Sequence, residues 1–203
     1  MTIGRGEAWG ELVARPPLVR EARDDAELAD LLAAGAEPPV HVVGGDVART
    51  VGARPPGARD EVLALPLDLV DVRLDGGEPH LVAAHVIARP PRWRGGELRG
   101  PLLAVMNAEF VGERDVAPRG HPNDGRVEAL LVDPSMGLRQ RLELGRRLRA
   151  ATHLPHPAVT VRSVRRAAWD FDRPMVVVAD GRRLGRCRRL EVEVRPDAAV
   201  VHA

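Results

Sequence analysis

The sequence predicts a mixed fold: a reduced α/β segment over about residues 1–55, then a β-rich part over 56–203 that reads as a β-sandwich or open barrel. Three observations lead there. Residues 40–43, Gly44-Gly45-Asp46 and residues 47–51 read as strand, glycine turn and short helix. Pro55-Pro56-Gly57 then breaks the pattern. Beyond it, short apolar runs recur with turn residues between them, the spacing of an antiparallel sandwich.

Residues 1–23 read as irregular, with Pro16-Pro17 and scattered charge. Asp24, Asp25 and Glu27 precede an apolar run at 28–34, which makes a helix start, and Gly35 stops it. Residues 67–74 partly alternate, and Asp75-Gly76-Gly77 turns them into a hairpin with 80–87. Unbroken alternation there places His80 and His85 on opposite faces. Residues 89–100 form a Pro/Gly/Arg-rich loop around Trp93. Strands at 102–106 and 127–132 flank a polar centre with Ala117-Pro118 and the hairpin-type turn Asn123-Asp124-Gly125. Residues 136–150 form one long helix. Met136, Leu138, Leu142, Leu144 and Leu148 are expected to pack on the sandwich, with Arg139, Arg141, Arg146, Arg147 and Arg149 supplying the basic positions. Short strands follow at 159–161, 167–171, 175–178, 190–194 and 198–201.

Composition excludes several function classes. The chain is 44% hydrophobic, yet Trp9, Trp93, Trp169, Phe110 and Phe171 are its only aromatics. The core is therefore aliphatic, and stacking platforms for nucleic acid are few. All 30 Lys+Arg residues are arginine, so no lysine is available as a Schiff base, phosphate-loop ligand or tunable base. Net charge is +1, split as −4 over residues 1–100 and +5 over 101–203, which argues against a nucleic-acid partner. Cys187 is the single cysteine, so it forms no intrachain disulfide and is expected to be a buried, inert thiol. No apolar run nears the roughly 18 residues that span a bilayer. No charged-then-apolar leader follows Met1, so the expectation is a cytoplasmic protein with at most peripheral membrane contact. Ser135 and Ser163 are the only serines and no Gly-x-Ser-x-Gly exists, which removes a serine hydrolase. His153 and His156 are one residue short of a helical zinc pair and lie among prolines.

Three stretches, in order, resemble the bacterial diacylglycerol kinase and YegS-like lipid kinase family. Gly44-Gly-Asp-Val-Ala-Arg-Thr-Val-Gly52 is similar to its Gly-Asn-Asp-Phe-Ala-Arg-x-Leu-Gly segment. Met106-Asn-Ala, Ala117-Pro118 and Asn123-Asp-Gly resemble its asparagine strand, Ala-Pro step and Asp-Gly hairpin. Residues 156–161, Arg173-Pro174 and Asp180-Gly181 resemble its ending, where a strand leads into Asp-Gly-Glu. The resemblance covers about residues 38–203. It implies a fold of the diacylglycerol kinase and NAD kinase type, with an α/β nucleotide domain before a β-sandwich and ATP and magnesium between them. In the family a Gly-Gly-Asp-Gly-Thr loop holds the phosphates, and the last glutamate is the base.

This chain departs from that pattern twice. It has no Gly-Gly-Asp-Gly-Thr, and Arg182 stands where the family has its glutamate. A guanidinium cannot act as a general base.

The candidate residues therefore read in two ways. Gly44, Gly45, Asp46 and Asp180 are nucleotide- or phosphate-facing by resemblance. Alternatively Asp46 is a helix N-cap and Asp180 a turn residue. Asp124 is a metal ligand by resemblance, or a plain hairpin residue. Arg182, Arg183 and Arg186 would contact an anionic lipid headgroup or phosphate, or form a solvated face. The leading expectation is a non-catalytic relative that binds a lipid, a phosphorylated compound or a protein partner. The alternative is an active ATP-dependent lipid kinase whose nucleotide site is shared with a partner chain or rebuilt in a homodimer.

Overall fold

The computed structural model describes residues 9–35, 37–53 and 60–203. The Pro55-Pro56-Gly57 break lies outside the described residues. In chain order the elements are β1 (Glu11–Ala14), β2 (Arg20–Ala22), α1 (Asp25–Ala33), β3 (Val40–Val42), α2 (Gly45–Thr50), β4 (Glu61–Leu74), β5 (His80–Val82) and β6 (His85–Arg89). They continue with β7 (Leu102–Met106), β8 (Phe110–Val111), β9 (Arg114–Asp115), β10 (Val127–Val132), α3 (Leu138–Leu148), β11 (Val159–Val164), β12 (Arg166–Ala179) and β13 (Arg182–His202).

Mostly antiparallel pairing dominates, as the strand spacing predicts. Among the described residues the main path runs β1-β4-β13-β12-β6-β7-β10-β11, and β8-β9 is a separate small hairpin. The α/β segment joins the same sheet. β2 pairs parallel with β3, β3 pairs parallel with the end of β13 (Val201↔Val40), and β1 pairs with β4. Sheet pairing therefore crosses the boundary expected near residue 55.

The last strands are longer than the sequence suggests. Residues 167–171 and 175–178 merge into β12 through an irregularity between Asp170 and Met175, and 190–194 and 198–201 merge into β13 through one between Arg195 and Ala199. Arg173-Pro174 and Pro196-Asp197 fall in the gaps between those expected strands. The ladder absorbs them because a bulge leaves residues unpaired, which is where a sheet tolerates proline. The β12–β13 turn is Asp180-Gly181, with φ of 47° and 77°. Two consecutive positive φ values are what a two-residue I′ hairpin requires. Asp75-Gly76, at 51° and 73°, begins the predicted hairpin between β4 and β5 in the same way.

The two largest core clusters are almost wholly aliphatic. One joins Val70, Val72, Val86, Leu103, Val177 and Leu190, with Cys187 inside it. Burial pushes the Cys187 thiol up to about 11, which fits the inert role. The other seats α1 and α2 on the sheet through Leu28, Val42, Val47, Leu65 and Val201.

Helix α3 packs by only part of its leucine set. Leu144 is buried and Leu148 packs beside it, while Leu138 and Leu142 are 49% and 52% exposed. The face towards the sheet is Arg141-Leu144-Leu148, at spacings of three and four, and Leu138 and Leu142 fall off it. Arg141 belongs to the buried face because its guanidinium donates to the carbonyls of Met136, Glu97, Gly100 and Asp133.

The polar centre between β7 and β10 is not one tight hairpin. β7 and β10 do pair (Leu130↔Ala104), but the β8–β9 hairpin interrupts the connection. Asn123-Asp124-Gly125 is held by Asp68 of β4, which is fully buried. Asp68 accepts from Gly125 N (2.6 Å), Asp197 N (2.8 Å) and Asn123 Nδ2 (3.2 Å). The turn fastens three distant segments into one buried knot.

Candidate functional site

In a parallel β–α arrangement, ligands are met where strands end and helices begin. Here those ends are Arg23-Asp24 after β2 and Val43-Gly44 after β3. Asp24 caps α1 by accepting from Glu27 N at 2.7 Å, and Glu27 accepts from Arg23 N at 2.9 Å. Asp25 reaches across to the other loop. Its Oδ2 accepts from Asp46 N at 2.7 Å and its Oδ1 from Val47 N at 2.9 Å. A carboxylate from a neighbouring loop thus satisfies the first amides of α2, whose cap residue Gly44 has no side chain to do so.

The two glycines are explained by this approach. A Cβ on Gly44 would lie 2.2 Å from the Arg23 carbonyl oxygen. One on Gly45 would lie 2.5 Å from Asp25 Oδ1, at a φ of +92°. Both positions require glycine so that the loops can touch.

Asp46 lies inside the first turn of α2 rather than capping it. The N-cap reading is therefore replaced by one in which Asp25 does the capping. Asp46 Oδ1 accepts from Gly112 N at 2.8 Å, and Oδ2 lies 3.4 Å from His85 Nδ1. Thr50 and Arg49 complete a clamp on the β8–β9 region. Thr50 Oγ1 accepts from Glu109 N at 3.0 Å, and Arg49 lies 4.2 Å over the Phe110 ring and donates to the Gly112 carbonyl.

His85 reaches this place because the strand at 80–87 breaks at Ala83-Ala84. β5 pairs with β4, and β6 with β7 and β12. The alternation expected for His80 and His85 is therefore interrupted: His80 is exposed and His85 buried. The break is locked by Asp180, which accepts from Ala83 N (2.8 Å), Ala84 N (2.9 Å) and His85 N (3.0 Å). Asp180 N in turn donates to the His85 carbonyl at 3.0 Å. One donor atom each from Asp25, Asp46 and His85 lies within 4.8 Å of the other two.

The cluster carries shifted acids and a shifted imidazole. Burial pushes Asp25 up to about 6, against its two amide donors, and Asp46 adds to the rise. Burial pushes Asp180 up to about 7, against three amide donors. Burial also holds His85 below the usual histidine value, while Asp46 acts the other way.

Of the residues singled out in the sequence, Gly44, Gly45, Asp46 and Asp180 come together here. Asp124 stands apart in the Asp68 knot, with its carboxylate accepting from Arg126 N at 2.9 Å. It joins no grouping of three acidic or histidine side chains among the described residues. Arg182 pairs with Asp30 of α1 at 2.7 Å. Arg183 and Arg186 are exposed on β13, with no ion pair among the described residues. Sequence reasoning missed Asp25, His85 and Asp68. Asp25 reads as a first-turn helix acid, and nothing in the local pattern around His85 or Asp68 reports partners so far along the chain. A cleft of about 750 Å³ beside Ala117-Pro118 and Leu154-Pro155 is lined by none of Asp25, Asp46, His85 or Asp180.

The ATP and magnesium implied by the resemblance can be tested against these residues. A phosphate cradle needs free backbone amides beside glycines. Here the strand-to-helix turn before α1 is Arg23-Asp24, and the amides that begin α2 already donate to Asp25. Magnesium favours six oxygen ligands, phosphates and water among them, whereas one of the three donors here is an imidazole. The residues present do not match that arrangement.

The fold and the ordered motifs define a lipid-kinase-like chain. The family model for the YegS C-terminal NAD kinase beta sandwich-like domain matches residues 68–203. The chain belongs to the diacylglycerol kinase and YegS-like lipid kinase family. Solved structures agree on the fold. A candidate diacylglycerol kinase from Bacillus anthracis str. Sterne superposes with a TM-score of 0.65 at 13% identity, covering 90% of this chain and 76% of that one. A structure described as a diacylglycerol kinase from the same organism gives 0.60 at 12% identity, covering 90% and 74%. No curated protein matches the sequence. Among the described residues no helix is long and apolar enough to cross a membrane.

Proposed function

We propose that this chain is a binding member of the lipid kinase family that does not transfer phosphate. One observation carries the reading. The Asp25 carboxylate takes the amides of Asp46 and Val47 at 2.7 and 2.9 Å, so negative charge stands where a nucleotide phosphate would have to approach. Anion binding at such a place depends on open amides and a positive field. Arg182, in the position of the family's base, cannot accept a proton, and its pairing with Asp30 supports a structural role. Arg183 and Arg186 support contact with an anionic ligand on the outer face of β13.

The test is a phosphoryl-transfer assay with pure protein, magnesium-ATP and diacylglycerol in mixed vesicles. The wild type and the Arg182→Glu variant are both expected to show no transfer above background, because a restored base still lacks positioned phosphates. Lipid phosphorylation by the wild type that disappears in Asp46→Ala overturns the proposal.

A further inference from the structure

We propose that Asp25, Asp46 and His85 form a binding site for a zinc-type transition-metal dication. The inference goes beyond the reading above, since it concerns a different ligand from the magnesium and nucleotide of the family. Its first support is an unpaired buried atom. His85 is 6% exposed, and its buried Nδ1 has no hydrogen-bond partner. Buried polar atoms are almost always paired, so an orphaned ring nitrogen aimed at a carboxylate needs an account.

The second support is geometry. His85 Nδ1 and Asp46 Oδ2 are 3.4 Å apart. Zinc binds imidazole nitrogen and carboxylate oxygen at about 2.0–2.2 Å, and two such ligands at a tetrahedral angle are about 3.4 Å apart. One donor atom from Asp25 completes a set of three within 4.8 Å. Three protein ligands from separate rigid elements leave a fourth position for water or substrate, the pattern of an open zinc site.

The third support is how the ligands are held. Asp46 is oriented by Gly112 N, Asp25 by the start of α2, and His85 by the Asp180 lock on its own backbone. Partners of this kind fix ligand direction in metal sites. An imidazole with two carboxylates favours zinc, cobalt or nickel over magnesium.

The experiment titrates the metal-free full chain with Zn²⁺ and, separately, Mg²⁺ by calorimetry. Co²⁺ serves as an optical probe of coordination. One Zn²⁺ per chain is expected, bound at least about a hundredfold more tightly than Mg²⁺. His85→Asn is expected to weaken Zn²⁺ by about tenfold or more and to alter the cobalt spectrum. Should His85→Asn fail to fold, Asp46→Asn is read in its place, with the same loss expected. Zn²⁺ binding no tighter than Mg²⁺, or equal Zn²⁺ affinity in the wild type and the folded variant, overturns the site. Phosphoryl transfer is read in a separate assay without added zinc, so the two proposals fail separately.

Discussion

Asp180→Ala is expected to lower the unfolding free energy by about 3–5 kcal/mol, read as a shift in urea midpoint. The carboxylate accepts three backbone amides, from Ala83, Ala84 and His85, and the residue is buried. Alanine leaves those three donors without an acceptor away from water, and each costs about 1–3 kcal/mol. Typical domains are stable by only about 5–15 kcal/mol, so one turn residue carries a large share. The loss also frees the β5–β6 break, so His85 should leave its place beside Asp46. A midpoint change equivalent to less than about 1 kcal/mol would contradict this account of the lock.

The same carboxyl has a pH signature. Its value in the fold is about 7, above the ordinary 3.8. Between those values the folded chain keeps a proton that the unfolded chain releases, so this group's contribution to stability is present in acid and lost as pH rises towards 7. The buried His85, His153 and His202 and the half-buried His121 are lowered and contribute with the opposite sign through their own range. The carboxyl carbon of Asp180, followed by NMR, is the resonance to watch.

The second large effect is expected at Asp68. Asp68→Ala should cost about 3 kcal/mol or more, because Gly125 N, Asp197 N and Asn123 Nδ2 all lose their acceptor at a fully buried position. The knot joins β4, the loop before β10 and the bulge in β13, so its loss loosens three strands at once. Hydrogen exchange should rise together at Gly125 and Asp197. Asp124→Ala, which removes only a local bond to Arg126 N, should cost far less. Equal effects at Asp68 and Asp124 would contradict this assignment.

These two aspartates also show where the sequence was readable. Helix α1 is legible because Asp24 and Glu27 make a local capping pair. β3, the glycine turn and α2 are legible because strand, glycine and helix signals lie in one run of residues. The turns at Asp75-Gly76 and Asp180-Gly181 are legible because Asp-Gly favours two positive φ values.

The rest depends on distance. Asp25 and Asp46 are bonded across 21 residues, and Asp180 locks His85 from 95 residues away. No local pattern encodes such meetings. The break at Ala83-Ala84 follows a run that reads as continuous, and it exists because Asp180 supplies acceptors for amides that leave the ladder. The buried Arg141 is equally hidden, since its four carbonyl partners lie on the loops around α3 and not on the helix face that periodicity describes. The glycines at 44 and 45 are the instructive case. Their presence was legible, but their reason was not: they admit a neighbouring carbonyl and a carboxylate, and the same pair of letters could serve a phosphate.

In the proposed reading, carboxylates of the chain itself occupy the amides and space where a nucleotide phosphate would sit. Calorimetric titration of the wild-type protein with magnesium-ATP tests it most directly. No saturable binding is expected at millimolar nucleotide. One-to-one binding that is lost in Asp46→Ala would contradict it.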